Sequence, residues 1–259
     1  MTAREIVDLI KKNAGMPWND RSTRDTFKAG NPDAQVKGIA TTMMVTLDVL
    51  RKANAAGLNM VLPHEGTFWN DRDDTKDLTD NPLYKLKMDF IEKNNMVIWR
   101  DHDHMHAMKP DFTVLATLRE IGIKADADVG IRAPVYTIPE TTLGEFASRV
   151  KQMTGIRALR CVGDPNAKVS RILFGPGYAT QRMTPEADVV IGGEQQEADG
   201  AFDNVEYVMD AASLGMAKGV IMLGHAVSEQ SGMEDMAKWL SRFIPDIPIQ
   251  FVPQEEPFW

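Results

Sequence analysis

Three times along this chain a short apolar run stops at a histidine. Asn59-Met-Val-Leu62 runs into Pro63-His64-Glu65-Gly66, Met96-Val-Ile-Trp99 into the segment from Asp101 to His106, and Gly219-Val-Ile-Met-Leu223 into Gly224-His225. Unbroken runs of four or five apolar residues, bounded by turn residues, are the pattern of strands buried on both faces, as in sheets covered by helices. All five histidines, His64, His102, His104, His106 and His225, fall in these three exits. Ligands of open α/β sheets bind at such carboxyl ends of strands.

The stretches between the runs carry helical or further strand patterns. Helices are expected near residues 3–14, 44–56, 81–92, 112–121, 205–214 and 233–243. Asp111 is suited to cap the fourth and Gly122 to end it. A further helix starts at Thr141 or Thr142 and carries Leu143, Phe146, Ala147 and Val150. Further strands are expected near 36–41, 135–138, 171–174 and 188–191, the last two with glycine-rich exits. No repeat, low-complexity tract or long linker interrupts this alternation, so the expected fold is α/β, with two interleaved α/β lobes and mixed sheets. The expected division is 1–125 for a first lobe, 126–185 for the middle of the second, and 186–259 for a segment returning His225 and Glu229 to the site.

Composition removes several functional classes. The 259 residues are 43% hydrophobic and 25% charged, within the globular range, and no apolar run approaches the roughly 20 residues that span a bilayer. The N-terminal residues 1–12 mix charge into a helical period and read as a helix of the fold. A net charge of -8 with scattered lysine and arginine argues against a nucleic-acid partner and leaves a small-molecule substrate. The single cysteine, Cys161, excludes an internal disulfide and cysteine-rich zinc sites, and fits a cytoplasmic location.

Each histidine segment also carries carboxylates: Glu65 beside His64, Asp101 and Asp103 in the middle cluster, and Glu229 four residues after His225. Imidazole and carboxylate together suit divalent zinc, iron, manganese or nickel, and the lack of thiolate ligands argues against a closed structural zinc site. The spacing of His225 and Glu229 sets both on one face of a helical turn. His102, His104 and His106 share a face only if extended. If the chain turns helical after Asp101, His102 and His106 point together instead. The competing reading makes 100–106 a solvated surface loop. Weaker signals are an acid from Gly192-Gly193-Glu194 or Glu197, a backbone approach to an anion by Gly175-Pro176-Gly177, and a pocket lined by Met16, Trp18, Phe68, Trp69 or Trp99, residues that elsewhere are simply core.

With these residues in view, the chain resembles the NIF-three-like family (NGG-one-interacting factor three), whose members are often labelled type 2 GTP cyclohydrolase I. The resemblance runs through Trp18, Gly30-Asn-Pro32, the Val36-Lys-Gly-Ile39 strand, residues 47–57, Asn59 to Glu65, Asp188-Val-Val-Ile-Gly-Gly-Glu194 and Gly224-His-Ala-Val-Ser-Glu229. The last motif is the most specific, since the family sets a histidine and a glutamate of its dinuclear site at this spacing. The family's early histidine pair falls on His64 and Glu65, and its histidine-then-aspartate motif on His102 and His106. Both second positions depart from the commoner pattern, one gaining a carboxylate and the other an imidazole.

The resemblance implies a two-lobed α/β subunit, a ring-shaped homohexamer and a hydrolase-type centre of two divalent ions held by His64, Glu65, His102, His106, His225 and Glu229. The expected chemistry is metal-assisted attack of water, with Glu65, His104 and Glu229 as the catalytic side chains and Asp103 or Glu194 as further acid or base candidates. Two other readings stand beside it. One is a non-catalytic metal-binding scaffold or interaction protein forming a ring; the other is a mononuclear amidohydrolase-like site on His102-Asp103-His104, for which the strand count is low for eight βα units.

Overall fold

The computed structural model describes residues 1–195 and 202–259. In chain order the first elements are α1 (Ala3–Asn13), β1 (Phe27–Ala29), β2 (Ile39–Thr42), α2 (Leu47–Ala55), β3 (Met60–Pro63), α3 (Pro82–Lys93), β4 (Val97–Trp99), α4 (Asp103–Ala107) and α5 (Phe112–Glu120). They are followed by β5 (Tyr136–Thr142), α6 (Leu143–Thr154), β6 (Arg160–Gly163), β7 (Lys168–Gly175), β8 (Val189–Gly192), α7 (Asp203–Ser213), β9 (Gly219–Met222), α8 (His225–Leu240) and β10 (Ile249–Phe251).

The chain divides into two compact units, Met1–Met108 with Met233–Glu255, and Lys109–Gly232 with Glu256–Trp259. The chain therefore leaves the first unit and returns to it, and α8 contributes residues to both. The first division falls earlier than the expected 125 because α5 buries Val114 and Leu118 in the core of the second unit, together with Phe146, Ile172, Phe174 and Ile191. The two five-stranded sheets are open, which sets aside the eight-unit barrel.

In the first unit the strand order is β1-β4-β3-β2-β10, with β1 antiparallel to β4 and the rest parallel. β2 and β3 are buried at every position, as unbroken apolar runs require, and Val49, Leu50 and Ala53 of α2 and Ile91 of α3 cover one face. In the second unit the order is β5-β7-β8-β9-β6, with β7, β8 and β9 mutually parallel and antiparallel edges. Both sheets are mixed, and in each the parallel strands bring their carboxyl ends to one side.

Helix starts follow local chemistry. Thr2 with Glu5, and Thr142 with Glu145, form capping boxes for α1 and α6; Asn81 ahead of Pro82, and Asp111, accept the first free N–H groups of α3 and α5. The largest displacement from expectation is α8, which begins at His225 and not near 233. Gly232 masks the helical period there, and it is glycine because an added Cβ would lie 2.8 Å from Thr113 Cα and N. Val36 to Gly38, expected as the start of a strand, precede β2. No helix among the described residues is long and apolar enough to cross a membrane.

Candidate metal centre

In the first unit β3 and β4 run parallel in the register Met60 to Val97 and Val61 to Ile98, so the residues that follow their ends emerge side by side. His64 and Glu65 leave β3; Arg100 to His102 leave β4. The segment after Asp101 does turn helical. Asp25, from a loop far away in sequence, accepts the backbone N–H groups of His102 at 2.6 Å, Asp103 at 3.0 Å and His104 at 2.9 Å, capping α4 as an N-cap side chain would. The His106 N–H closes the turn on the His102 carbonyl at 3.1 Å, which puts these two imidazoles on one side.

The result is a triangle of imidazoles. Ring centroids of His64, His102 and His106 are 4.6, 4.7 and 4.8 Å apart, and their ligand atoms all lie within 4.8 Å of one another. A hydrogen bond sets the tautomer of His64. His64 Nδ1 lies 3.2 Å from the Asp101 carbonyl, which only accepts, so Nδ1 carries the proton and Nε2 keeps its lone pair 3.1 Å from His106 Nε2. His102 Nδ1 faces the Asp103 carboxylate at 2.9 Å, leaving Nε2 toward Glu65 Oε1 at 3.6 Å. Burial, then the neighbouring His106 and His102, hold His64 well below the ordinary histidine range, in the neutral form that ligates metals. Burial works the other way on Asp103, but hydrogen bonds from Ser22 and His102 keep it below the usual carboxylate range and ionised. Glu65 is held in turn by Arg100, wholly buried, whose Nη2 donates to Oε2 at 2.7 Å while Nε donates to the His64 carbonyl at 2.9 Å.

His104 stands apart from the triangle. Its Nε2 accepts the Asn19 N–H at 2.8 Å, its Nδ1 donates to Asp25, and Trp18 stacks on its ring at 3.4 Å. With both nitrogens engaged and the residue buried, it anchors α4 and offers no lone pair to a metal. The solvated-loop reading of 100–106 does not hold, since Arg100, Asp101, His104 and Met105 are buried.

The second unit repeats the arrangement. Parallel β7, β8 and β9 end at Gly175, Gly192 and Met222, so Gly177, Glu194 and His225 emerge on one side. His225 Nδ1 faces Glu194 Oε1 at 2.6 Å, and its Nε2 lies 3.1 Å from Glu229 Oε2, one helical turn on. An imidazole nitrogen and a carboxylate oxygen at this distance call for a proton or a cation between them. Gly177 holds φ +46°, and a Cβ there would collide with Glu229 Oε1 and lie 2.8 Å from His225 Nε2, while its N–H donates to Ser228 Oγ at 2.8 Å. The weak signal in Gly175-Pro176-Gly177 thus marks close backbone approach to a protein carboxylate. We expect Gly177→Ala to lower stability by about 1–3 kcal/mol from strain and overpacking, read as a lower thermal midpoint with altered His225 ring resonances.

Asp25, Ser22, Arg100 and Ser228 escape sequence reasoning as partners of the site. Glu197 lies outside the described residues.

Fold and donors together define a mixed α/β protein with histidines and carboxylates at the carboxyl ends of parallel strands. A family model described as Duf34/NIF3 (NGG1p interacting factor 3) matches residues 1–257, and the chain belongs to that family. It is 23% identical over 254 residues to a Clostridium acetobutylicum protein named GTP cyclohydrolase 1 type 2 homolog, covering 93% of this chain and 90% of that one. The fold is also that of a Staphylococcus aureus protein (TM-score 0.75, 16% identity, 100% and 99% of the two chains) and of a Bacillus cereus protein related to NIF3 (TM-score 0.70, 14% identity, 100% and 99%).

Proposed function

We propose that this protein is a hydrolase using two divalent ions, with His64, Glu65, His102, His106, His225 and Glu229 as ligands, acting on a small polar substrate by cyclohydrolase, amidase or phosphoesterase chemistry. The observation that carries the reading is the arrangement around the imidazoles: His64, His102 and His225 each face an oxygen through Nδ1 and a further potential ligand atom, of His106, Glu65 and Glu229 respectively, through Nε2. Carbonyl or carboxylate partners of this kind orient ligating imidazoles and raise their basicity. The donor set, nitrogen and carboxylate oxygen without thiolate, fits zinc, iron, manganese or nickel. When bound, such ions supply Lewis acidity and lower the pKa of water.

The chain's own groups do the rest. Asp103 and Glu194 hold His102 and His225, and Arg100 holds Glu65. Glu65 and Glu229 are assigned proton transfer as well as ligation; His104 is reassigned from acid or base to positioning, because both its nitrogens are engaged. The name of the Clostridium acetobutylicum relative makes cyclohydrolase chemistry the first reaction class to try. The homohexamer implied by resemblance belongs to the same proposal.

Elemental analysis of the protein beside His64→Ala and His225→Ala tests it. The expected result is about two divalent ions per subunit, with losses in both variants and the fold largely retained on chelation. No metal after reconstitution would remove the mechanism, and unfolding on chelation would favour the metal-binding scaffold.

A further inference from the structure

The first unit contains a cavity of about 210 Å³, lined in part by the segment that follows His64 and Glu65. Met44, Val45 and Leu47, at the turn into α2, and Leu83 of α3 give it apolar walls; Trp69, Lys87 and the Gly66-Thr67 segment also line it. Lys87 is 2% exposed. Its ammonium donates to the carbonyls of Val45, at 2.5 Å, and Thr67, and stands 5.5 and 5.4 Å from the Phe68 and Trp69 rings.

No carboxylate among the described residues pairs with it. Asp73, whose charge reaches Lys87, forms its ion pairs with Lys28 at 3.4 Å and Arg100 at 3.8 Å. A buried ammonium without a counter-ion is costly, and burial pushes this amine down to about 8. Its third N–H has no oxygen or nitrogen partner among the described residues. Trp69 adds an independent sign. It is held at φ 60°, a left-handed conformation rare for a bulky side chain, and is 51% exposed.

We propose that this cavity binds a small planar aromatic carboxylate, its ring against Trp69 and the apolar walls and its carboxylate serving as counter-ion to Lys87. Charge and shape both point to that class. An inorganic anion would leave the apolar walls uncovered, and a neutral ring would leave the ammonium uncompensated. The volume, below the roughly 300 Å³ at which drug-sized sites begin, suits a single ring. Trp69 supplies the aromatic face on which such a ring stacks.

Calorimetric titration of the full chain with benzoate tests this, beside benzyl alcohol and inorganic phosphate. The expected result is one benzoate per chain with a dissociation constant on the order of a millimolar or tighter, and at least about tenfold weaker binding of the other two. Lys87→Met is expected to lose benzoate binding by a similar factor. Leu83→Trp, a change at a 47% exposed position that fills the cavity and spares Lys87, keeps the test alive if the lysine variant does not fold. No benzoate binding by the parent, equal binding by both variants, or phosphate binding as tightly as benzoate would overturn the proposal.

Discussion

Replacing Arg100 with methionine is expected to lower the free energy of unfolding by about 3–5 kcal/mol, the range found when one member of a buried ion-pair cluster is removed. The side chain is wholly buried and reaches five groups: the His64 carbonyl through Nε at 2.9 Å, the Asp71 carbonyl through Nη1 at 2.5 Å, Glu65 Oε2 through Nη2 at 2.7 Å, and the carboxylates of Asp71 and Asp73 at 3.5 and 3.8 Å. Methionine matches the volume of the stem and none of the donors. Removal would leave Asp73 with Lys28 as its ion-pair partner and two carbonyls without these donors. Arg100→Lys should recover little, because an ammonium cannot fork toward Glu65 and two carbonyls at once. The measurement is a denaturant midpoint that falls with the slope unchanged. On the reading of Glu65 as a ligand, the same variant should retain less metal, since Glu65 loses the contact that leaves Oε1 toward His102. A loss under about 1 kcal/mol would show that the cluster contributes far less than its burial implies.

What the sequence discloses here follows from burial. Central strands sealed on both faces, such as β3, β8 and β9, leave unbroken apolar runs that stand out. The strands it missed, β1, β6 and β10, all lie at sheet edges, are three or four residues long, and are only partly buried, so an alternation such as Phe27-Lys28-Ala29 or Ile249-Gln250-Phe251 is too short to mark them. The division into units is hidden for a related reason. The chain leaves the first unit at Met108 and rejoins it at Met233, and no composition shift accompanies either crossing.

The candidate site divides the same way. Its imidazoles and carboxylates are legible because residue type and strand-exit position are local. Their partners are not. Asp25 acts on residues 102–104 from a polar loop with no period of its own, and Arg100 reads as one more charge in a charged run until the structure buries it. His104 shows the same limit: residue type and position make it an acid or base candidate, and only the structure shows Asn19 and Asp25 at its two nitrogens.

Stability is expected to rise between about pH 8 and about pH 10.5, by a contribution from Lys87 on the order of 3 kcal/mol. Burial lowers the amine to about 8 in the folded chain, against 10.5 for an ordinary lysine. Below about 8 both states carry the proton, and the folded state bears the full cost of a buried ammonium. Between the two values the folded chain has released the proton and the unfolded chain keeps it, so unfolding takes up a proton and stability climbs with pH. Above about 10.5 both are neutral and the climb ends. Lys28 and Lys218, also pushed down by burial, titrate in the same sense, so the parent curve alone does not isolate Lys87. Chemical unfolding of the parent and of Lys87→Met across this range does. Methionine abandons the Val45 and Thr67 carbonyls, which shifts stability at every pH; the slope, and not the absolute value, carries the test. A Lys87→Met chain that still climbs as steeply as the parent would mean that the ammonium is not held at a penalty in the folded state, and that solvent or a neighbouring charge already compensates it.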